Sequence, residues 1–115
     1  MANAIIIDAL NQTIRQAVFQ SVDDLFRFVG GFLEVAYVWH GAAGEHASVL
    51  YVNEGGLTTE RPRFFFTLPD AHQWFSGNGV VVGAEITNED ETQLLDWQDP
   101  AITLAELERL VVFNS

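Results

Sequence analysis

The chain contains no cysteine, which excludes a disulfide framework, a thiolate metal site and a cysteine nucleophile. It also contains no lysine. Its 5 basic residues are all arginines (Arg15, Arg27, Arg61, Arg63 and Arg109), set against 16 acids for a formal net charge of -11. A surface so short of positive charge lacks the basic patch that phosphate contacts need, so direct nucleic-acid binding is not expected. The same argument applies to an anionic membrane surface. No apolar run approaches the roughly 20 residues of a membrane-spanning helix. The opening Met1-Ala2-Asn3-Ala4 has no basic segment leading into a long apolar stretch, as a signal peptide would. A cytoplasmic location is therefore expected.

What is present points to a packed core. Hydrophobic residues make up 49% of the 115 residues and charged residues 18%, a balance that suits one globular domain spanning 1–115 and not an acidic disordered tail. The surplus of carboxylates has two readings. It can simply keep an apolar small domain soluble, or it can attract a basic partner, including proteins that themselves bind nucleic acid.

The local pattern alternates short strands with two short helices. The β-branched run Ile5-Ile6-Ile7, the turn at Leu10-Asn11-Gln12 and the stretch Thr13 to Phe19 predict an opening hairpin. Ser21 precedes Val22-Asp23-Asp24, and Val22, Leu25, Phe26 and Val29 follow at helical spacing, with Gly30 as a left-handed stop. Phe32 to Trp39 alternates as a strand with Leu33, Val35, Tyr37 and Trp39 on one face, which predicts a central position with Val35 in the core. Ser48 to Asn53 is its expected antiparallel partner, Arg63 to Leu68 a further strand, and Val80-Val81-Val82 another after the turn Ser76-Gly77-Asn78-Gly79. Residues 85 to 99 are rich in acids and amides and read as irregular, with at most one helical turn. Thr103-Leu104-Ala105-Glu106 is a capping-box pattern that opens a second helix, with Leu104, Leu107 and Leu110 on its apolar stripe and Val111-Val112-Phe113 as a terminal strand. The sum is an α+β domain. A mainly antiparallel sheet of about five to six strands carries both helices on one face, since hairpin-length connections leave no room for parallel crossovers.

Several of these stretches, in order, resemble a family of small uncharacterised proteins, of domain-of-unknown-function type, found on bacteriophage, prophage and plasmid genomes. The residues that carry the resemblance are Ile5-Ile6-Ile7-Asp8, Leu25 to Glu34 with its paired glycines, and Asn53-Glu54-Gly55-Gly56-Leu57. They continue through Arg63-Phe64-Phe65, Ser76-Gly77-Asn78-Gly79-Val80-Val81-Val82-Gly83 and Ile102-Thr103-Leu104-Ala105-Glu106-Leu107. Asp70-Ala71-His72-Gln73-Trp74-Phe75 stands where members of that family often have a Gly-Tyr-Pro-Gln-Pro-like stretch. The resemblance implies mobile-element biology, with the host cytoplasm as the location if the protein is phage-encoded. It transfers no catalytic residue.

A search for chemistry yields no catalytic, cofactor or metal residues. His40 and His46 flank a glycine-rich loop beside Glu45, and His72 lies far along the chain, which is no metal-ligand spacing. None of Ser21, Ser48, Ser76 and Ser115 sits in a nucleophile elbow. Gly77-Asn78-Gly79 leads into a strand, whereas a phosphate loop opens a helix. Arg61 and Arg63 form a local basic pair that acids can satisfy. The expected role is therefore that of an acidic mobile-element accessory protein, not an enzyme, which binds a protein partner and acts as an inhibitor or nucleic-acid mimic. Its contact would be Glu89, Asp90, Glu91, Asp96 and Asp99, with Trp97 as the apolar anchor. Two alternatives stay open: a small-ligand-binding domain or minor enzyme, and a structural accessory protein that self-assembles through Phe64, Phe65 and Phe66.

Overall fold

The β-branched and aromatic runs form strands, and the two capped segments form helices. A computed structural model describes residues 2–39, 47–54, 57–58, 64–69, 73–88 and 91–113, with the backbone alone at 57–58, 84–88 and 91–98. In chain order the elements are β1 (Ala2–Asp8), β2 (Thr13–Phe19), α1 (Val22–Val29), β3 (Leu33–Trp39), β4 (Ala47–Asn53) and β5 (Leu57–Thr58). There follow β6 (Phe65–Thr67), β7 (Trp74–Ser76), β8 (Asn78–Asn88), β9 (Glu91–Gln98), α2 (Leu104–Leu110) and β10 (Val112–Phe113). The larger sheet has the order β2-β1-β8-β4-β3, with β9 as a further partner of β8. The smaller has the order β10-β6-β7-β5, and all pairings in both are antiparallel. The expected α+β architecture, a mainly antiparallel sheet with two short helices, is what forms; the second, four-stranded sheet adds to it.

The period of two along each strand sorts the core into two layers. Ala4, Ile6, Val49, Tyr51, Val80 and Val82 face one side of the large sheet, where Leu25 and Val29 of α1 cover them. Ile5, Ile7, Leu50, Val52 and Val81 face the other, beneath Phe66 and Phe75 of the small sheet and Leu107 of α2. The helices therefore lie on opposite faces, not together on one. The reason is in the strands: β1, β4 and β8 are apolar on both faces, so each face needs its own cover.

β3 departs furthest from its sequence pattern. It lies at an edge of the large sheet, and its register on β4 shifts between Val35 and Tyr37. This bulge at Ala36 inserts one residue and reverses the alternation. Leu33 and Val38 pack on the α1 side, while Tyr37 and Trp39 pack on the other. Val35 is 45% exposed and is not a core residue; Leu107, at 0%, is. The acidic stretch is also regular where an irregular segment was expected. β8 runs from Asn78 through Asn88, and β9 from Glu91 through Gln98 returns along it. Phe65–Thr67 is a shorter strand than the Arg63 to Leu68 run implied.

The helix ends differ in how they are held. At α2, Thr103 Oγ1 accepts from the Glu106 backbone N–H at 3.1 Å, and Glu106 Oε1 accepts from the Thr103 N–H at 3.2 Å, completing the capping box. At α1, Ser21 occupies the N-cap position without a side-chain bond. Asp24 supplies the contact instead, its Oδ2 accepting from the Gln20 N–H at 2.8 Å while it pairs with Arg27. The end of α1 turns at Gly30, whose φ of 79° favours glycine. Two of its last carbonyls are met from the sheet: Asn78 Nδ2 donates to Phe28 O at 3.2 Å and Asn53 Nδ2 to Val29 O at 3.5 Å.

Candidate functional site: the acidic hairpin and its root

β8 pairs with β1 only over Asn78–Val81 and with β4 only over Gly79–Ala84. Beyond Ala84 its one partner among the described residues is β9, with Glu85 opposite Gln93, Ile86 opposite Thr92 and Asn88 opposite Glu91. The hairpin thus extends about 13 Å past the last β4 pairing, taking about 3.3 Å per residue over the four residues 85–88. Six of the 16 acids fall in residues 85–99, and no arginine does. β-branched Ile86, Thr87 and Thr92 favour strands.

The site residues expected from sequence fall in different places on this element. Glu91, Asp96 and Trp97 lie on β9. Glu89 and Asp90, between the strands, are outside the described residues. Asp99 is exposed at the hairpin's root, where its Oδ1 accepts from the Asn3 N–H at 2.8 Å. β8 pairs with β1 only from Ile5 onward, so Asn3 has no β8 partner and the carboxylate takes the place of a strand. This ties the hairpin's base to β1. Asn3 and Asp99 also line a groove of about 200 Å³ with Gln16, Pro100 and Thr103.

Below this root the chain passes inward. Ile102 N–H donates to Ser48 Oγ at 3.0 Å in a buried bond, which accounts for one of the two buried polar residues among those described. The other is Asp8. Burial acts to raise its pKa, but the Asn11 backbone N–H at 3.1 Å, the Asn11 side-chain amide at 2.8 Å, the Leu10 N–H and the Arg15 charge outweigh it. The carboxyl is held below its usual value of 3.8, as befits a charged acceptor closing the β1–β2 turn and not a proton donor. Asp24 is likewise held low, first by the Gln20 N–H, against some desolvation, and by Arg27.

The remaining expectations resolve unevenly. His40, His46, His72, Arg61 and Arg63 lie outside the described residues. Among the described residues no group of histidine and carboxylate side chains could hold a metal, and no helix is long and apolar enough to cross a membrane. Of the three consecutive phenylalanines, Phe65 and Phe66 are buried at 7% and 0%, and Phe64 is 38% exposed. Only Phe64 is thus on the surface for a self-contact. Trp74 is half-buried edge-on against Phe65 with ring centres 6.3 Å apart. It lines an apolar groove of about 270 Å³ with Leu68 and Pro69.

Sequence reasoning missed the hairpin as an element, although the alternation continuing through Ala84-Glu85-Ile86-Thr87 was a signal for it. It also missed the role of Asn53, read as the end of a strand, and of Asn78, read as a turn residue, both of which hold α1. Comparison with protein-family models, with curated proteins and with solved structures gave no match.

Proposed function

We propose that the protein is a non-catalytic binding protein that engages a basic surface of a protein partner through the β8–β9 hairpin. The single observation that carries this reading is the hairpin itself. β8 outruns both β1 and β4, its partner there among the described residues is β9, and residues 85–99 of this element hold six of the 16 acids and no arginine. Glu85, Glu91 and Asp96 lie on paired strands, and a backbone already ordered by pairing loses little further ordering entropy on binding. Charge guides the encounter, and Trp97 on β9 is the aromatic candidate for holding it. The family resemblance fits a mobile-element accessory protein, for which a host protein that grips nucleic-acid phosphates is a fitting target. Carboxylates in the place of phosphates would make the chain an inhibitor of that grip.

The test replaces Glu89, Asp90, Glu91 and Asp96 by their amides and leaves Asp99 intact, because Asp99 bonds to β1. A partner captured from host lysate by the parent chain should bind this variant more weakly. Its affinity for the parent should fall as salt rises, as the Debye length shrinks from about 10 Å at 0.1 M to about 3 Å at 1 M. A melting transition close to the parent's would show that the weaker binding does not come from lost folding. Equal affinity of variant and parent at one salt concentration would remove the proposal.

A further inference from the structure

We infer that Asn78 is a deamidation site whose reactivity is gated by the fold, and that its conversion weakens the hold of the sheet on α1. Asn78-Gly79 is the chain's only asparagine followed by glycine. In a flexible chain this is the pair most open to the reaction, because glycine puts no side chain in the way of its own nitrogen. The Gly79 backbone nitrogen, having given its proton to solvent base, attacks Asn78 Cγ. A carbon–nitrogen bond forms, the Cγ–Nδ2 bond breaks, and the amide nitrogen takes a proton from water and leaves as ammonia. One water then opens the cyclic imide at either carbonyl, leaving aspartate or isoaspartate.

The folded chain withholds each requirement. Gly79 lies between Ile7 of β1 and Val52 of β4, so its N–H is directed at one neighbouring strand or the other. The Asn78 amide is engaged with Phe28 O at 3.2 Å. Packing opposes exchange of the glycine for a less reactive neighbour, because a Cβ there would meet Leu50 Cδ1 at 2.7 Å and Phe66 Cζ at 2.9 Å and force these buried side chains to shift. Core packing therefore fixes a reactive pair in place, and the sheet keeps it unreactive.

The product is worse than a lost amide. Asn78 stands directly opposite Asp8, and paired residues on antiparallel strands share a face. Asp8 is a buried carboxylate held in its charged form by Asn11 and Arg15. Aspartate at 78 would bring a second negative charge to that face, and it would aim an acceptor at the Phe28 carbonyl, itself an acceptor. Isoaspartate would add a backbone carbon within the central strand. A chain that opens and is modified refolds without the Asn78 bond to Phe28, so the reaction leaves a lasting record of unfolding.

The experiment incubates the parent chain at mildly alkaline pH, native and in denaturant, and follows the amide-to-acid mass increase in the peptide holding Asn78. Conversion in denaturant should outpace native conversion by roughly tenfold or more, the factor by which a stable sheet limits opening. The variant Asn78→Asp should show an unfolding equilibrium constant raised by roughly tenfold, from the lost bond to Phe28. Native conversion as fast as denatured, or an Asn78→Asp chain with an unchanged midpoint, would overturn the inference. If that variant does not fold, the two conversion rates of the parent still decide the gating.

Discussion

The two faces of the large sheet are covered by different means. Beneath α1 the strands offer a mixed surface, from Ala2, Ala4 and Val80 to Ile6, Phe19 and Tyr51, and one eight-residue helix closes over them with Leu25 and Val29. Its position is fixed by directional contacts, the Asn53 and Asn78 amides on its last carbonyls. The other face is covered by area. Phe66 and Phe75 stack with ring centres 5.2 Å apart over Leu50, Val52 and Val81, and α2 adds Leu107. A narrow helix needs polar fixing because it buries little; a small aromatic sheet is held by what it displaces from water.

The largest effect that would test this contrast is at the aromatic cover. Phe66→Ala, from a fully buried ring, should cost about 3–5 kcal/mol, and Leu25→Ala beneath α1 should cost less, about 2–3 kcal/mol, both read from denaturation midpoints. A larger loss at Leu25 would reverse the comparison. The two helix starts sharpen it at a finer scale. Thr103→Ala removes a completed capping box and should cost about 1 kcal/mol, whereas Ser21→Ala removes no side-chain bond and should cost a few tenths. Equal costs would mean that Ser21 caps α1 in solution. The smallest effect is expected at the sheet's edge: Val35→Ala should stay within about 0.5 kcal/mol.

Much of this arrangement is legible in the residues. Gly30, Thr103 with Glu106, and the runs Ile5-Ile6-Ile7 and Val80-Val81-Val82 each carry their own local reason, so they appear in the structure where they were read. The misreadings concern what lies between elements. Strict alternation through Val35 gives no hint of a bulge, because a register shift is set by the partner strand β4. The helices could be assigned to a common face only while the small sheet was unknown; three short strands and a two-residue terminal one leave little periodicity to detect. At the candidate site the acids were legible as composition and their mounting was not. This stretch is polar enough to resemble a loop, and what makes strands of residues 85–88 and 91–98 is pairing with each other.

The position of β8 also orders events during synthesis. β1 with β2, and β3 with β4, are hairpins that can close as soon as each has left the ribosome. Neither can join the other, because the strand that belongs between them begins at residue 78. Until then the nascent chain carries two separate ribbons with open inner edges, each a template for pairing with a stranger. Insertion of β8 closes both edges in one step. The slow stage of folding should therefore be this late insertion, governed by contacts distant in sequence. Chaperone dependence, if the protein has any, would fall in the interval between the fourth strand and the eighth.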